Sequence, residues 1–432
     1  MGTVEQARCC VGLVGPLDVK RAEYEFATRK LEELGCHVVV LDVTTRDMDD
    51  DRQGHASDTH CSPRQVLDEI ISTASFNALD RGERTEAMRA GALRILGALK
   101  HEGRLHALAG FGGSQTTSLV TWIMRSAVFE IGFPKVAVTT MMAGDVAGYA
   151  GETDIVFWPS IVDISGRLNS ISELILTNTC HAVAALAASY QARLRASQPT
   201  GGVRQASRKP HVALTMFGLT TPCVNECSRL LSEKGFEPVV FHASGVGGRS
   251  MERLINEGLF DAVLDLTTTE LADEQLGGVL SAGPSRLTAA HQKNIPQLIS
   301  VGALDMCNFG SLDTVPGAFR ERKLHAHNEK VTLLRTNAEE NRQLGEVLVN
   351  KVKGSTFKIL FPTKGTSGID IEGGSFEDKE ARGALLDGIR SALGDASSEH
   401  LIPVDLHIND AAFAARAVDE LVSLYNSKQP ET

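Results

Sequence analysis

Residues 107–118, Ala-Leu-Ala-Gly-Phe-Gly-Gly-Ser-Gln-Thr-Thr-Ser, decide the fold. The apolar run Ala107–Ala109 reads as a strand. It breaks at Gly110, Gly112 and Gly113 and then enters an apolar helical stretch from Thr117 to Phe129. A strand that turns through glycine into a helix is half of a βαβ unit, and such units build parallel sheets. Pro134–Thr140 supplies the next strand.

The same alternation recurs on both sides. Upstream, Cys10–Val14 is an apolar run, followed by Gly15-Pro-Leu-Asp18 and a helical stretch, Arg21–Leu34, that ends at Gly35. Glycine just past the last turn is a common helix stop. Val38–Val43 reads as a strand, Asp47–Asp51 as a polar loop, and Pro63–Leu79 and Thr85–Glu102 as helices. Downstream, a helix over Ile171–Ala196 is followed by Ser197–Pro210, a polar stretch with Gly and Pro that has linker composition. Alternation then restarts. Strands are expected at Val212–Met216, Pro238–Phe241, Ala262–Leu266, Pro296–Val301 and Lys358–Phe361, and helices at Pro222–Lys234, Met251–Glu257, Arg335–Val352 and Ala411–Leu424. The expected fold is α/β, with two doubly wound Rossmann-like parallel-sheet domains: a nucleotide-binding one over 1–200 and a second over 208–432.

Composition narrows the function. Hydrophobic residues make up 42% and charged residues 22%, which suits a globular chain. The 43 Lys and Arg stand against 54 Asp and Glu, a net charge of −11 that disfavours a nucleic-acid surface. One local loop still suffices to hold a single nucleotide. No apolar run of about 18 residues occurs, so no membrane span is expected. The first ten residues lack the apolar core of a signal peptide. The eight cysteines are scattered, which reads as reduced thiols of a cytoplasmic protein.

In an open parallel sheet, ligands bind beyond the carboxyl ends of the strands. Three loops of the first half meet that description. The strongest carries Gly110, Gly112, Gly113, Ser114, Thr116 and Thr117, with backbone amides, hydroxyls and a helix start to face an anion. It matches neither a Walker loop nor the dinucleotide fingerprint, and a tight turn without ligand is the plain alternative. Gly15, Asp18 and Lys20 form the first turn, where Asp18 can simply cap the helix. Thr139, Thr140 and Gly144 lie beyond a third strand.

The second half offers a denser set. Thr220 and Thr221 stand at a helix start. Ser244, Gly245, Gly247, Gly248 and Arg249 make another anion cradle, the Arg suited to fork onto a carboxylate or phosphate. His242, Glu252, Asp305 and His325 are the candidates for acid–base or metal-assisted work on a small anionic metabolite. His325 and His327 are spaced to share a metal from a strand or loop. His407-Ile-Asn-Asp410 precedes the last helix, where Asn409 or Asp410 can act as its cap.

Taken in order, Gly110–Ser114, Met216–Asn225, His242–Arg249, Val301–Gly310 and His407–Asp410 form a distinctive series. Through it the chain resembles the family of the ATP-binding inhibitory domain of the tomato mosaic virus resistance protein and its bacterial and fungal relatives. The resemblance implies two Rossmann-like subdomains, an ATP site in the first, and often a homodimer; Mg²⁺ is the metal expected to accompany a nucleotide. Many relatives carry a TIM-barrel-like domain after this region, and with Thr432 as the last residue none is expected here. The family's first turn usually has threonines where Pro16 and Val19 stand, and its glycine loop tends to have Gly-Gly in place of Gln115-Thr116. The reading that follows is a nucleotide-binding protein with ATP held by strand-to-helix glycine loops. An enzyme working in the second crevice and an interaction protein with a structural nucleotide are the alternatives.

Overall fold

The computed structural model describes residues 8–48, 59–197 and 209–428. Most of the expected linker, and Asp49–Asp51 of the acidic loop, lie outside them. The chain divides into two compact units, one within 1–205 and one within 206–432.

The first unit has strands β1 (Cys10–Gly15), β2 (His37–Asp42), β3 (His60–Cys61), β4 (Ala107–Gly112), β5 (Lys135–Thr139) and β6 (Val156–Pro159). Its helices are α1 (Leu17–Glu33), α2 (Pro63–Leu67), α3 (Thr73–Asn77), α4 (Arg81–His101), α5 (Ser114–Met124), α6 (Ala147–Ala150) and α7 (Ser170–Ser197). The strand order is β3-β2-β1-β4-β5-β6, every pairing parallel. This is the Rossmann order, with the winding reversed between β1 and β4. Every residue of β1 and β4 is buried, because helices cover both faces of the sheet. Val14, Leu41 and Leu108 pack with Leu96 and Ile123 on one face. Val11, Leu13 and Ala109 pack with Leu31, Leu176 and Val183 on the other.

Three boundaries depart from the periodic reading. The first turn of α1 begins at Leu17, ahead of a kink at Lys20 (φ −138°). Pro63–Leu79 splits into α2 and α3 because Ser62 and Ser72 each accept an amide at a new helix start. Asp80 and Glu83 then close a capping box that opens α4. Among the described residues one helix, Ser170–Ala196, is long and apolar enough to cross a membrane, with a mean hydropathy of 1.3. Here its Leu176, Cys180, Val183 and Ala187 pack on the sheet.

The second unit has strands β7 (His211–Met216), β8 (Glu237–His242), β9 (Ala262–Thr267), β10 (Gln297–Gly302), β11 (Met306–Phe309), β12 (Leu324–Asn328), β13 (Val331–Arg335), β14 (Phe357–Pro362) and β15 (Leu401–Val404). Its helices are α8 (Thr221–Glu233), α9 (Val246–Asn256), α10 (Glu270–Leu276), α11 (Ala289–Gln292), α12 (Ala338–Val352), α13 (Lys379–Leu393), α14 (Ser397–His400) and α15 (Ala411–Ser427). The parallel sheet runs β15-β14-β10-β9-β7-β8, reversing between β7 and β9. Between β10 and β14 the chain leaves the sheet to make a small antiparallel sheet, β11-β13-β12, with β13 in the middle.

Candidate functional site

The C-terminal ends of β1 and β4 splay where the winding reverses. Their ladder stops at the Leu13–Ala109 pair. Beyond it the Tyr24 hydroxyl fills the gap, donating to the Val14 carbonyl at 2.6 Å and accepting the Phe111 N–H at 2.8 Å. Above this wedge opens a cavity of about 1340 Å³, lined by four segments of the chain. Pro16, Asp18, Val19 and Lys20 come from the start of α1, and Thr45–Asp47 from the loop after β2. Arg81, Gly82, Arg84 and Thr85 come from the start of α4, and Gly113–Thr116, Ser118 and Leu119 from the start of α5. Among the described residues, the cations Lys20, Arg46, Arg81 and Arg84 line it together with the carboxylates Asp18 and Asp47.

The two helix starts at this mouth differ. The first amides of α1 are already satisfied: the Leu17 N–H donates to Asp42 Oδ1 at 3.0 Å and the Asp18 N–H to Thr44 Oγ1 at 3.4 Å. Burial pushes the Asp42 carboxyl above its usual range, and the hydrogen bonds it accepts from the Thr44 hydroxyl and from the Leu17 and Thr44 N–H groups oppose the rise. At α5 the N-cap is Gly113, no side chain caps the helix, and Ser114 and Gln115 are exposed. An α5 start with uncapped amides and the positive end of its dipole facing a cavity suits an anion.

The expected glycines part into two kinds. A Cβ on Gly15 would run into the Tyr24 hydroxyl, and one on Gly110 would meet Val120 and the Val14 carbonyl. A Cβ on Gly112 would strike the Thr116 side chain. These three serve close packing inside the unit. Gly113 alone of the four has room, its nearest neighbour being Thr140 Oγ1 at 3.6 Å.

The hydroxyls and charges sort similarly. Thr116 is buried under the loop. Thr117 Oγ1 donates to the Gly113 carbonyl at 2.9 Å and lies 2.7 Å from Thr139 Oγ1, which also accepts the Met141 N–H. Thr140 and Gly144 bound an exposed turn that does not line the cavity. Asp18 is not the cap of α1; it pairs with Arg46 at 2.9 Å. Lys20 Nζ donates to the Ile164 carbonyl at 2.6 Å and so pins the segment after β6. Asp18, Lys20, Gly113, Ser114 and Thr116 of the expected set therefore line one cavity. Sequence reasoning missed Arg46, Arg81 and Arg84. The signal was there in Arg81-Gly-Glu-Arg84 at a capped helix start. Arg84 donates to the carbonyls of Asn77 at 2.5 Å and Leu79 at 3.0 Å and pairs with Asp47 at 2.6 Å, which fixes that wall.

In the second unit the expected anion cradle is filled by the protein itself. Glu270 Oε1 accepts the N–H groups of Gly245 and Gly248 at 2.7 and 3.1 Å. Its other oxygen takes Arg286 Nε at 2.6 Å. A Cβ on Gly248 would land on that carboxylate, and one on Gly247 on the His242 carbonyl. Arg286 is fully buried and forks onto Asp265 at 2.5 and 2.7 Å. Ser244 Oγ turns back to the His242 carbonyl, and Arg249 reaches the Ser281 carbonyl at 3.1 Å. The hydroxyls of Thr220 and Thr221 bond within their own turn, Thr220 also to Thr267 at 2.8 Å.

The four acid–base candidates contact different partners. Glu252 accepts the amides of Leu287, Thr288 and Ala289 and contacts Arg286 at 3.3 Å. Asp305 binds the hydroxyls of Thr366 at 3.0 Å and Ser367 at 2.8 Å. Burial first, and then the nearby Asp370, push its carboxyl up to about 6. His242 is exposed beside Phe217, and His325 lies 3.4 Å from Ser375 Oγ. No group of three or more His, Cys, Asp or Glu among the described residues is placed to hold a metal, so His325 and His327 lack the further ligands a site requires. His407 is buried and locks loops together. Its Nδ1 accepts the Asn409 N–H at 3.1 Å, which leaves Nε2 to donate to the Ser367 carbonyl at 2.9 Å. Asn409 does not cap the last helix; its side chain donates to the Leu219 carbonyl at 3.0 Å.

Comparison with known proteins agrees with this two-unit layout. The N-terminal domain of the uncharacterised protein family UPF0261 matches residues 9–192, and the C-terminal domain of that family matches 209–425. A UPF0261 protein of Clostridium tetani is 37% identical over 421 residues, covering 95% of this chain and 98% of that one. A second, from Mesorhizobium japonicum, is 37% identical over 411 residues, 93% and 96% of the two chains. The tomato protein named ToMV resistance protein Tm-1(GCR237) is 41% identical over 328 residues, which is 75% of this chain and 42% of that protein. The chain belongs to the UPF0261 family.

Proposed function

For this member of the UPF0261 family we propose nucleotide binding in the N-terminal unit, with ATP as the ligand and its phosphates at the start of α5. The observation that supports this reading is the uncapped α5 N-terminus at Gly113, opening onto a cavity at the point where the sheet reverses. Gly113, Ser114 and Gln115 present the amides, and Lys20, Arg46, Arg81 and Arg84 offset phosphate charge. A Mg²⁺ ion arriving with the nucleotide is held mainly by phosphate oxygens, with Asp18 and Asp47 as the carboxylates at hand. All eight cysteines are free thiols, which suits a reducing compartment such as the cytoplasm. The carboxylate-filled loop of the second unit favours a scaffold role there over a second anion site.

The test is Gly113→Asp. Replacing Gly by Asp at an N-cap stabilises a helix by a few tenths of a kcal/mol, about 0.3, and the site has room for a side chain. The same carboxylate repels phosphate. Calorimetric titration is expected to show ATP affinity reduced at least about tenfold, or about 1.4 kcal/mol, in a protein whose melting temperature is unchanged or raised. Equal ATP affinity in the two proteins sinks the assignment.

A further inference from the structure

Cys9 and Cys36 stand side by side just before β1 and β2, at the N-terminal ends of the strands and so at the opposite end of the first sheet from the cavity. Each precedes a strand, and the two strands are paired in register, Cys10 with His37. The His37 N–H donates to the Cys9 carbonyl at 2.8 Å. Residues level with each other in a parallel ladder point to the same face, and the two sulfurs lie 3.4 Å apart. We propose that this pair is an oxidation site, at which hydrogen peroxide converts the two thiols into a Cys9–Cys36 disulfide.

Neighbouring strands lie about 4.8 Å apart, inside the Cα separation of roughly 4.4–6.8 Å that a disulfide spans. The other nearby thiols are turned elsewhere. Cys10 is buried in the core on the opposite face, and Cys180 donates to the Ala27 carbonyl at 3.8 Å. Exposure sets the order of events, since Cys9 is half-buried and Cys36 fully buried. The two sulfurs share one S–H···S bond, and this bond pulls Cys9 down to about 7 against the effect of burial, with Arg195 assisting. Cys36 is held well above the usual thiol range by that same bond and by burial. Cys9 is therefore the attacking thiolate and Cys36 the resolving thiol.

The step balances. The Cys9 thiolate attacks one peroxide oxygen, the O–O bond breaks, and the departing hydroxide takes up a proton to become water. Cys9 is left as a sulfenic acid. The Cys36 sulfur then attacks the Cys9 sulfur, an S–S bond forms, the S–O bond breaks, and the hydroxyl leaves as water with the Cys36 proton. Two thiols lose two electrons and one peroxide is reduced to two waters.

Trypsin cuts after Arg8, Lys20, Lys30 and Arg46, so the linkage joins peptide 9–20 to peptide 31–46. The experiment treats the whole reduced chain with hydrogen peroxide and digests it without reductant. Because peptide 9–20 also carries Cys10, the experiment is repeated on Cys10→Ser. The expected result is the linked mass in both proteins, a loss of two titratable thiols, and full recovery with dithiothreitol. In Cys36→Ser the link disappears and dimedone traps Cys9, about tenfold faster than any other cysteine. The proposal is overturned if the linked mass survives in Cys9→Ser, or if Cys9 passes to sulfinic acid while Cys36 stays reduced. It is equally overturned if no linkage forms under peroxide that oxidises other thiols of the chain.

Discussion

The carboxylate of Glu270 accepts the backbone N–H of Gly245 at 2.7 Å, although 25 residues separate them. The loop that holds Gly245 has the glycines and hydroxyls of an anion site, and its anion is part of the chain. The same oxygen also serves Gly248, and its partner oxygen serves Arg286. One side chain thus positions the start of α9 and neutralises a buried cation.

Glu270→Gln is expected to lower the stability of the C-terminal unit by about 3–5 kcal/mol, because it breaks a buried ion pair from one side. Arg286→Met is expected to cost at least as much, since it strands Asp265, Glu252 and Glu270 together. Urea midpoints followed on the whole chain measure both. A loss under about 1 kcal/mol for either would show that the network contributes little.

The two glycines at the end of β4 are expected to answer oppositely to one substitution. Gly112→Ser drives a Cβ into Thr116 and is expected to cost about 1–3 kcal/mol. Gly113→Ser places an N-cap hydroxyl in open space and is expected to be neutral or stabilising by a few tenths of a kcal/mol, on the order seen for caps. Paired thermal melts decide this, and equal losses would contradict the division between packing glycines and an open one.

Asp273 carries a pH prediction. It accepts the N–H groups of Leu280 and Asn308, both at 3.1 Å, and the Asn308 side-chain amide at 2.7 Å. Burial, helped by the Glu270 charge, nonetheless pushes it up to about 7 from an ordinary 3.8. Between about pH 4 and pH 7 the folded chain keeps a proton that the unfolded chain has released, so this group makes stability fall as pH rises. Asp273→Asn cannot lose that proton. Its stability relative to the parent is expected to improve by about 2–4 kcal/mol between pH 4 and pH 8, since each tenfold difference in proton affinity between the folded and unfolded chains is worth about 1.4 kcal/mol. Denaturation curves at the two pH values that stay parallel for both proteins would refute this.

Much of the architecture was legible because β-branched runs such as Val38–Val40 and apolar helical stretches such as Leu119–Met124 carry the core on their own spacing. The small antiparallel sheet was not. Leu324–Asn328 is Leu-His-Ala-His-Asn, half of it exposed, and it pairs as a strand only because β13 lies beside it. Val156–Pro159 ends in proline and sits at a sheet edge, where pattern signals are weak. At the cavity, Gly113 and Ser114 were readable from the strand–glycine–helix order. Whether an amide is free or taken was not, because the takers are distant in sequence. Asp42 reaches Leu17 across 25 residues, and Glu270 reaches Gly248 across 22. Arg286 sits in a stretch, Gly-Pro-Ser-Arg-Leu, that reads as a surface turn. Three carboxylates from α9, β9 and α10 draw it inside.

The Tyr24 hydroxyl fastens β1 to β4 where their ladder has ended, so the separation of these strands is settled before any guest arrives. Parting them further breaks two buried hydrogen bonds at once, and closing them is blocked by the phenol ring. Adaptation to a ligand must then come from the rim made by Thr45–Asp47 and the first turn of α4. In a hydrogen-exchange comparison with and without nucleotide, that rim is where protection changes, while the floor stays silent.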